Sequence, residues 1–259
     1  MKLPLYQLDA FSGRVFGGNP AAVCPLGDWL DDGLLQAIAA ENNLAETAFF
    51  VRGPRGIELR WFTPTIEVDL CGHATLATAA LILDHLGPER DAVAFETRSG
   101  RLMVQRDGEG FAMDFPADPP APVEPCAGLV EALGAQPLEI LAGRDYLVRL
   151  ADESTVRRLV PDLAALARVD RRGVIVTAPG QVYDFVSRFF APGAGVPEDP
   201  VTGSAHCALA PYWSRELGKR ELRAFQLSAR GGEVLCAHLG DRVRLWGRCA
   251  FYLEGQITV

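Results

Sequence analysis

The stretches Arg60–Pro64 (RWFTP) and Arg188–Pro192 (RFFAP) decide the fold of this chain, because they are copies of one pattern. Both begin with Arg and an aromatic residue, continue with Phe and end with Pro. Each leads to a glycine that opens a helix-like run, in Cys71–Ala74 (CGHA) and in Thr202–Ala205 (TGSA), with three extra residues in the second copy. A repeat of half the chain length is too long for a solenoid unit. It predicts two homologous halves that face each other, with the functional site in the cleft between them.

Each half is predicted to contain a buried central helix wrapped by its own sheet. His73–Leu86 is apolar nearly all round, and Ser204–Leu217 is similar, although Pro211 should kink or shorten that second helix. A further helix is predicted over Asp31–Glu41, ended by Asn42 and Asn43. The predicted strands include Tyr6–Phe11, Ala45–Val51 and Leu59–Phe62. The duplicated segments further predict that the two central helices are related by a pseudo-two-fold axis.

The join between the halves is predicted at the one proline cluster, Ala117–Pro122, which lies near the midpoint of the chain. By composition alone this cluster is equally consistent with an ordinary surface loop. The repeat favours the interpretation that it joins the two halves. The domains are therefore predicted as an N-terminal lobe over residues 1–117 and a C-terminal lobe over residues 118–259.

Composition and charge exclude several classes of function. The 259-residue chain has 33 acidic and 25 basic side chains and a net charge of −8, which disfavours binding to nucleic acid or to an anionic membrane. Its longest apolar stretch, Leu76–Leu83, is too short to span a bilayer. The N-terminal residues Met1–Pro4 lead into a strand-like run without the pattern of a signal peptide. We therefore expect a cytoplasmic protein.

The sequence predicts neither a metal nor a cofactor. Cys71 with His73, and His206 with Cys207, hold metal-binding residue types, but their spacing matches no standard zinc pattern. Most of the six cysteines are expected to be small buried hydrophobic residues. The glycine-rich turn Gly17–Asn19 lacks the spacing of a dinucleotide or P-loop fingerprint.

Three ionisable side chains are candidates for chemistry, each with a structural alternative. Glu46 alternates onto one strand face with apolar residues, which disfavour its charged form and suit proton transfer. A glutamate at a strand end can equally turn to solvent. His73 follows Gly72 at a predicted helix start, where it can simply belong to the first turn. Asp199 stands before the second helix, where it can act as a cap instead of a catalyst.

Five motifs together resemble the PhzF-like family of phenazine biosynthesis proteins, and the resemblance spans essentially the whole chain. It also includes Asp9–Phe11 and Gly18–Val23 near the start. The five motifs are Asn43–Phe49 (NLAETAF), Arg60–Pro64 (RWFTP), Asp69–Thr75 (DLCGHAT), Arg188–Pro192 (RFFAP) and Glu198–Cys207 (EDPVTGSAHC).

The resemblance implies an α+β fold like that of diaminopimelate epimerase. In that fold, two pseudo-symmetric lobes each form a curled, mostly antiparallel sheet around a central helix, and the site lies between them. Epimerases of this fold use two opposed cysteines, one before each helix-start glycine, and here those positions hold Cys71 and Thr202. Because threonine cannot supply a thiol, the resemblance disfavours a two-thiol racemase. Relatives also suggest a homodimer.

The best-known member of the family isomerises trans-2,3-dihydro-3-hydroxyanthranilate without a cofactor, and one glutamate moves the proton. Carried over to this chain, the resemblance predicts a cofactor-independent isomerase of a small carboxylated metabolite. The alternatives are a one-glutamate epimerase or racemase of an amino or hydroxy acid, and a binding protein that keeps the fold. The implied catalytic residues are Glu46, His73 and Asp199, and the implied substrate-binding residues are Gly72, Gly203 and Ser204.

Overall fold

The protein packs as two compact units in a computed structural model that describes residues 1–54 and 56–259. The first unit comprises Met1–Asp114 with Trp246–Val259, and the second comprises Phe115–Leu245. The predicted boundary after residue 117 differs from this division, because it assigns the C-terminal segment to the second half. That segment belongs to the first unit since the last strand pairs antiparallel with the first, from Lys2 opposite Thr258 to Ala10 opposite Cys249.

Strands are the main regular secondary structure of both units. The strands β1–β7 and β18 lie in the first unit, β9–β16 lie in the second, and β8 and β17 contain the points where the chain passes between units. In chain order they are β1 Lys2–Ala10, β2 Asn19–Leu26, β3 Glu46–Gly53, β4 Gly56–Phe62, β5 Glu67–Val68, β6 Ala92–Thr97, β7 Gly100–Asp107, β8 Gly110–Pro116, β9 Ala121–Pro122, β10 Glu139–Ala142, β11 Tyr146–Arg149, β12 Val174–Pro179, β13 Phe185–Ala191, β14 Val196–Asp199, β15 Glu221–Gln226, β16 Gly232–His238, β17 Arg242–Gly247 and β18 Cys249–Thr258.

The helices are fewer and mostly short. They are α1 Asp32–Asn42, α2 Gly72–Ala80, α3 Leu129–Leu133, α4 Glu153–Arg158, α5 Leu163–Leu166 and α6 Gly203–Leu217. A π-helical segment, Leu81–Leu86, continues α2, and a 3-10 turn occupies Pro192–Ala194. Among the described residues, no helix combines the length and apolar composition that crossing a membrane requires.

The strand pairings confirm the duplication predicted from the sequence. In the first unit the pairs β1–β2, β3–β4, β4–β5 and β6–β7 are antiparallel, whereas β2–β3 and β4–β6 are parallel. In the second unit β10–β11, β12–β13, β13–β14 and β15–β16 are antiparallel, and β11–β12 and β13–β15 are parallel. The two units therefore share one order of strands and directions, and α2 and α6 each make the second parallel crossover of their unit.

The repeated Arg-aromatic-Phe pattern makes the same contact in both units. Arg60 forms two hydrogen bonds with the carboxylate of Glu67 and lies over the ring of Phe62. Arg188 forms the same pair of bonds with Glu198 and lies over Phe190. Two-point Arg–carboxylate bonds fix geometry strongly, so each pair ties the strand that precedes a central helix to its neighbour.

The two central helices begin one residue before the predicted starts. Helix α2 is buried as predicted, whereas α6 is buried only as far as Ser214. Every residue of α2 from His73 to Ala80 is buried. Helix α6 runs unbroken from Gly203 to Leu217, so the prediction that Pro211 shortens its first part was wrong, whereas the predicted kink stays a prediction. A proline frees the carbonyl four residues earlier, and here the carbonyl of Cys207 accepts a hydrogen bond from the Asp118 N–H at 3.0 Å. The helix continues because the carbonyl that Pro211 leaves without a donor receives a hydrogen bond from Asp118 instead.

Candidate active site

Glu46 lies at the point where the buried part of β3 begins. It is the first residue of β3, opposite Ala21 of β2, and the next five residues, Thr47–Val51, are all buried. The Glu46 side chain itself is 16% exposed. Its carboxylate therefore stands at the edge of the core of the first unit, with limited access to solvent.

His73 places its two ring nitrogens against different partners. Its Nε2 lies 3.1 Å from Oε2 of Glu46, and the side chain is 5% exposed. On the opposite side of the ring, Nδ1 lies 3.2 Å from Nδ2 of Asn19 and 3.5 Å from Sγ of Cys71. An Asn19 amide that donates to Nδ1 leaves the proton of a neutral imidazole on Nε2, beside Glu46.

The Glu46 and His73 atoms that face each other are short of hydrogen bonds. At 3.1 Å, Nε2 and Oε2 form an ion pair when His73 is protonated, and neither atom has another partner among the described residues. Buried polar atoms without partners are costly, and they concentrate where a ligand or a reaction uses them. This arrangement offers an acid and a base side by side at the start of α2.

Charge controls the protonation of this cluster. Burial lowers the pKa of His73, but the interactions with Cys71 and Glu46 outweigh burial, so that the pKa lies well above its ordinary value. Burial raises the pKa of Cys71 to about 11. Near neutral pH Cys71 is therefore a thiol, and the Glu46 carboxylate is the charge that favours a protonated His73.

Glu46, Cys71 and His73 are also the one group of potential metal ligands that comes together within residues 1–54 and 56–259. The imidazole stands between the other two side chains, with Nδ1 toward the thiol and Nε2 toward the carboxylate. One ligand atom from each side chain lies within 4.8 Å of the others, a spacing that a metal ion would permit. The order of thiol, imidazole and carboxylate also suits a proton relay.

In the second unit, Asp199 is tied to the residue before α6. It is the last residue of β14, and its Oδ2 accepts a hydrogen bond from the Thr202 hydroxyl at 2.6 Å. Thr202 is the N-cap of α6, and Gly203 is its first residue. The buried side chain of Gln226 holds this turn, since its Oε1 accepts from the Thr202 N–H at 2.9 Å.

An arginine reaches the predicted substrate-binding serine. Nη2 of Arg172 donates to Oγ of Ser204 at 3.0 Å. The same guanidinium makes two hydrogen bonds to Asp145, whose side chain is only 4% exposed, and it lies over the ring of Phe189. A positive charge is thus held at the start of α6, where the helix dipole is also positive.

His206 and Cys207, the other metal-type pair in the sequence, serve the core of the second unit. Nδ1 of His206 lies 2.7 Å from the carbonyl oxygen of Thr202, and burial lowers the pKa of His206 to about 4. Burial raises the pKa of Cys207 to about 12. Near neutral pH both side chains are uncharged.

The predicted site residues thus form two groups, one in each unit. Glu46, Gly72 and His73 come together in the first unit, and the second group is Asp199, Gly203 and Ser204. Sequence reasoning missed three contacting residues. Asn19 had a signal, because it lies within the Gly18–Val23 segment that carries the resemblance. The other two, Arg172 and Gln226, had none, since they lie far from the motifs in sequence and meet them only through folding.

Residues 8–255 match the protein-family model described as "Phenazine biosynthesis-like protein". The chain belongs to this family. An uncharacterized isomerase of Pseudomonas aeruginosa is 54% identical over 260 aligned residues, which cover 99% of each chain. The resemblance seen in the motifs is confirmed over almost the full length, and the protein is an enzyme of the isomerase class, as the names of such family members state.

Solved structures agree with the fold of this phenazine biosynthesis-like protein. A PhzF-family protein of Enterococcus faecalis is 43% identical, covers 100% of both chains and superposes with a TM-score of 0.96. A predicted epimerase of Pseudomonas aeruginosa, 23% identical with 99% of each chain covered, has a TM-score of 0.73. That second likeness concerns the fold alone. The predicted α+β fold of the diaminopimelate epimerase type is confirmed.

Proposed function

We propose that this family member is a cofactor-independent isomerase of a small carboxylated metabolite, and that Glu46 carries the transferred proton. The observation that supports the proposal is the pair of buried atoms 3.1 Å apart, Oε2 of Glu46 and Nε2 of His73, which have no other partner among the described residues. A general base must be within hydrogen-bond reach of the proton that it takes. Because Oε2 is buried against His73, the substrate carbon is expected beside the other oxygen, Oε1, of this 16% exposed side chain.

In the proposed reaction, the Glu46 carboxylate removes a proton from a carbon that is acidified by conjugation to an unsaturated group. The same carboxyl group then returns the proton to another carbon of the conjugated system, so that a double bond moves and no cofactor is consumed. His73, through Nε2–H, stabilises the carboxylate and the negative charge on the substrate. Asn19 holds the imidazole by its other nitrogen at 3.2 Å.

Asp199, Gly203 and Ser204 are proposed to orient the substrate. The free N–H groups of a helix start favour an anion, and glycine allows close approach to the backbone. The guanidinium of Arg172, which is paired with Asp145, lies 3.0 Å from Ser204 Oγ and holds that side chain beside these groups. Such a site suits a substrate that carries a carboxylate.

A single proton-carrying carboxylate favours isomerisation over epimerisation. Returning a proton to the same carbon from the opposite face needs a second acid, and Thr202 cannot supply the second thiol that epimerases of this fold use. By resemblance, a compound like trans-2,3-dihydro-3-hydroxyanthranilate is the first substrate to test. The second candidate function is an epimerase or racemase of an amino or hydroxy acid.

The test is incubation in deuterated water with small cyclic and amino carboxylic acids. Chromatography detects product, and mass spectrometry detects incorporated deuterium. We expect one compound to give a product of unchanged mass apart from deuterium. Glu46→Gln should lower its turnover by about 10² to 10⁴, the usual contribution of general acid–base catalysis.

The matched control is Glu41→Gln, the same chemical change at an exposed carboxylate in α1. It should leave turnover unchanged. Near-normal turnover in a folded Glu46→Gln protein removes Glu46 from the mechanism. Chiral analysis of the product distinguishes a shifted double bond from an inverted centre.

A further inference from the structure

The side chain of Gln226 makes three hydrogen bonds to the turn that joins Asp199 to α6. Gln226 is the last residue of β15 and is fully buried. Its Oε1 accepts from the Thr202 N–H at 2.9 Å, while its Nε2 donates to the Asp199 carbonyl at 2.7 Å and to the Thr202 hydroxyl at 3.1 Å.

The backbone determines which way this amide points. A backbone N–H can only donate, so the Gln226 atom that faces Thr202 N must be oxygen. A backbone carbonyl can only accept, so the atom that faces the Asp199 carbonyl must be nitrogen. Both requirements give the same orientation, and the Nε2 hydrogens are therefore directed at the carbonyl and at the hydroxyl.

This orientation also determines the direction of the Thr202 hydroxyl hydrogen. A hydroxyl has one hydrogen to donate. Because Thr202 Oγ1 accepts a hydrogen from Gln226, its own hydrogen is free to point at Oδ2 of Asp199, 2.6 Å away. The result is a directed chain of hydrogen bonds from the buried amide, through the hydroxyl, to the carboxylate.

We propose that Gln226 is a positioning residue, which acts through the Thr202 hydroxyl to present Asp199 to the substrate as a hydrogen-bond-accepting carboxylate. The proposal rests on the proposed function, because that function assigns Asp199 to the substrate. Two of the Gln226 bonds merely tie the backbone of the turn, and a structural glutamine would make those as well. The third bond, to the hydroxyl, distinguishes a positioning role.

The series of hydrogen bonds from Gln226 through Thr202 to Asp199 can be tested without a substrate, by NMR of the Gln226 side-chain amide. In 15N-labelled protein, its resonances are assigned by their loss in Gln226→Met. We expect Asp199→Asn to shift these resonances when Thr202 is intact. The same substitution should cause no shift in a protein that carries Thr202→Val. In a protein that carries Thr202→Ser, which keeps a hydroxyl, the shift should return. Thr78→Val is the matched control, since Thr78 is a buried threonine whose hydroxyl bonds a helix carbonyl at 2.7 Å. It should leave the Gln226 resonances unchanged.

The proposed coupling through Thr202 is overturned if Asp199→Asn does not shift the Gln226 resonances in the parent. It is also overturned if the shift is equal with and without the Thr202 hydroxyl. If Gln226→Met does not fold, glutamine-selective labelling assigns the resonance, and the Thr202 variants test the same chain with Gln226 intact.

The second measurement is kcat and KM in the isomerisation assay. Misplacement of a reacting group by about 1 Å can cost 10²-fold in rate. We expect Gln226→Met and Thr202→Val to lower kcat by roughly 10-fold to 10²-fold with a smaller change in KM, and Thr202→Ser to restore it. Full activity of Gln226→Met beside an inactive Asp199→Asn overturns the positioning role alone. Full activity of Asp199→Asn instead overturns the role of Asp199 in the proposed function, while the NMR result still decides whether the coupling through Thr202 exists.

Discussion

Replacing Glu46 by Gln should change the protonation of His73 and, through it, the pH dependence of stability. The substitution keeps the shape of the side chain and removes its charge. In the parent, the carboxylate lies 3.1 Å from Nε2 of His73 and helps to hold the pKa of the imidazole well above its ordinary value. In the variant, burial acts with less opposition, so the pKa of His73 should fall.

The distance sets the scale of the effect. Two unit charges 3.1 Å apart interact by about 5 kcal/mol at an effective dielectric constant of about 20. The cost of burying both charges offsets much of this, and in the variant His73 can avoid part of the loss by releasing its proton. We therefore expect the free energy of unfolding to fall by about 1–3 kcal/mol where His73 is charged.

The raised pKa of His73 defines the pH window. A group whose pKa is higher in the folded state stabilises the protein fully below its unfolded pKa, about 6.5 for His. That stabilisation is lost as the pH rises through the folded pKa. The difference between parent and Glu46→Gln should therefore be largest below about pH 6.5 and should shrink at higher pH.

Urea unfolding at pH 6 and at a series of higher pH values measures this difference, with Glu41→Gln as the control for the chemical change. NMR titration of the His73 ring, assigned by its loss in His73→Gln, measures the pKa directly. An unchanged His73 pKa in Glu46→Gln, or a stability difference that grows with pH, refutes the coupling of Glu46 to His73.

Two further predictions concern the helix starts. The Gly72→Val and Gly203→Val proteins should each fold yet bind a substrate-like carboxylate or sulfate more weakly in a calorimetric titration. The reason is that the added side chain covers the free N–H groups. Binding as tight as that of the parent would show that the anion lies elsewhere. Cys71→Ser should have a mild effect on turnover, since Cys71 is a thiol near neutral pH with a pKa raised to about 11. A loss as large as that from Glu46→Gln would instead assign acid–base chemistry to the thiol.

The central helices and the duplication were predictable because they are local and periodic patterns. The apolar runs after Gly72 and Gly203 mark buried helices wherever they pack. Copied motifs such as Arg60–Pro64 imply copied strand pairings, and the structure contains them in matching order. The effect of Pro211 was not predictable, because the donor that replaces its missing N–H belongs to Asp118, far away in sequence.

The sequence by itself determined the family, the two halves and the residue types of the candidate site, since each is written in contiguous motifs. Only the tertiary structure decided the partners of those residues. A hydrogen bond requires its donor and acceptor to lie about 3 Å apart, so the contacts of Arg172 with Ser204 and of Gln226 with Thr202 exist only after the chain has folded. The same physical reason places the last strand in the first unit, because its partner is β1 at the other end of the chain.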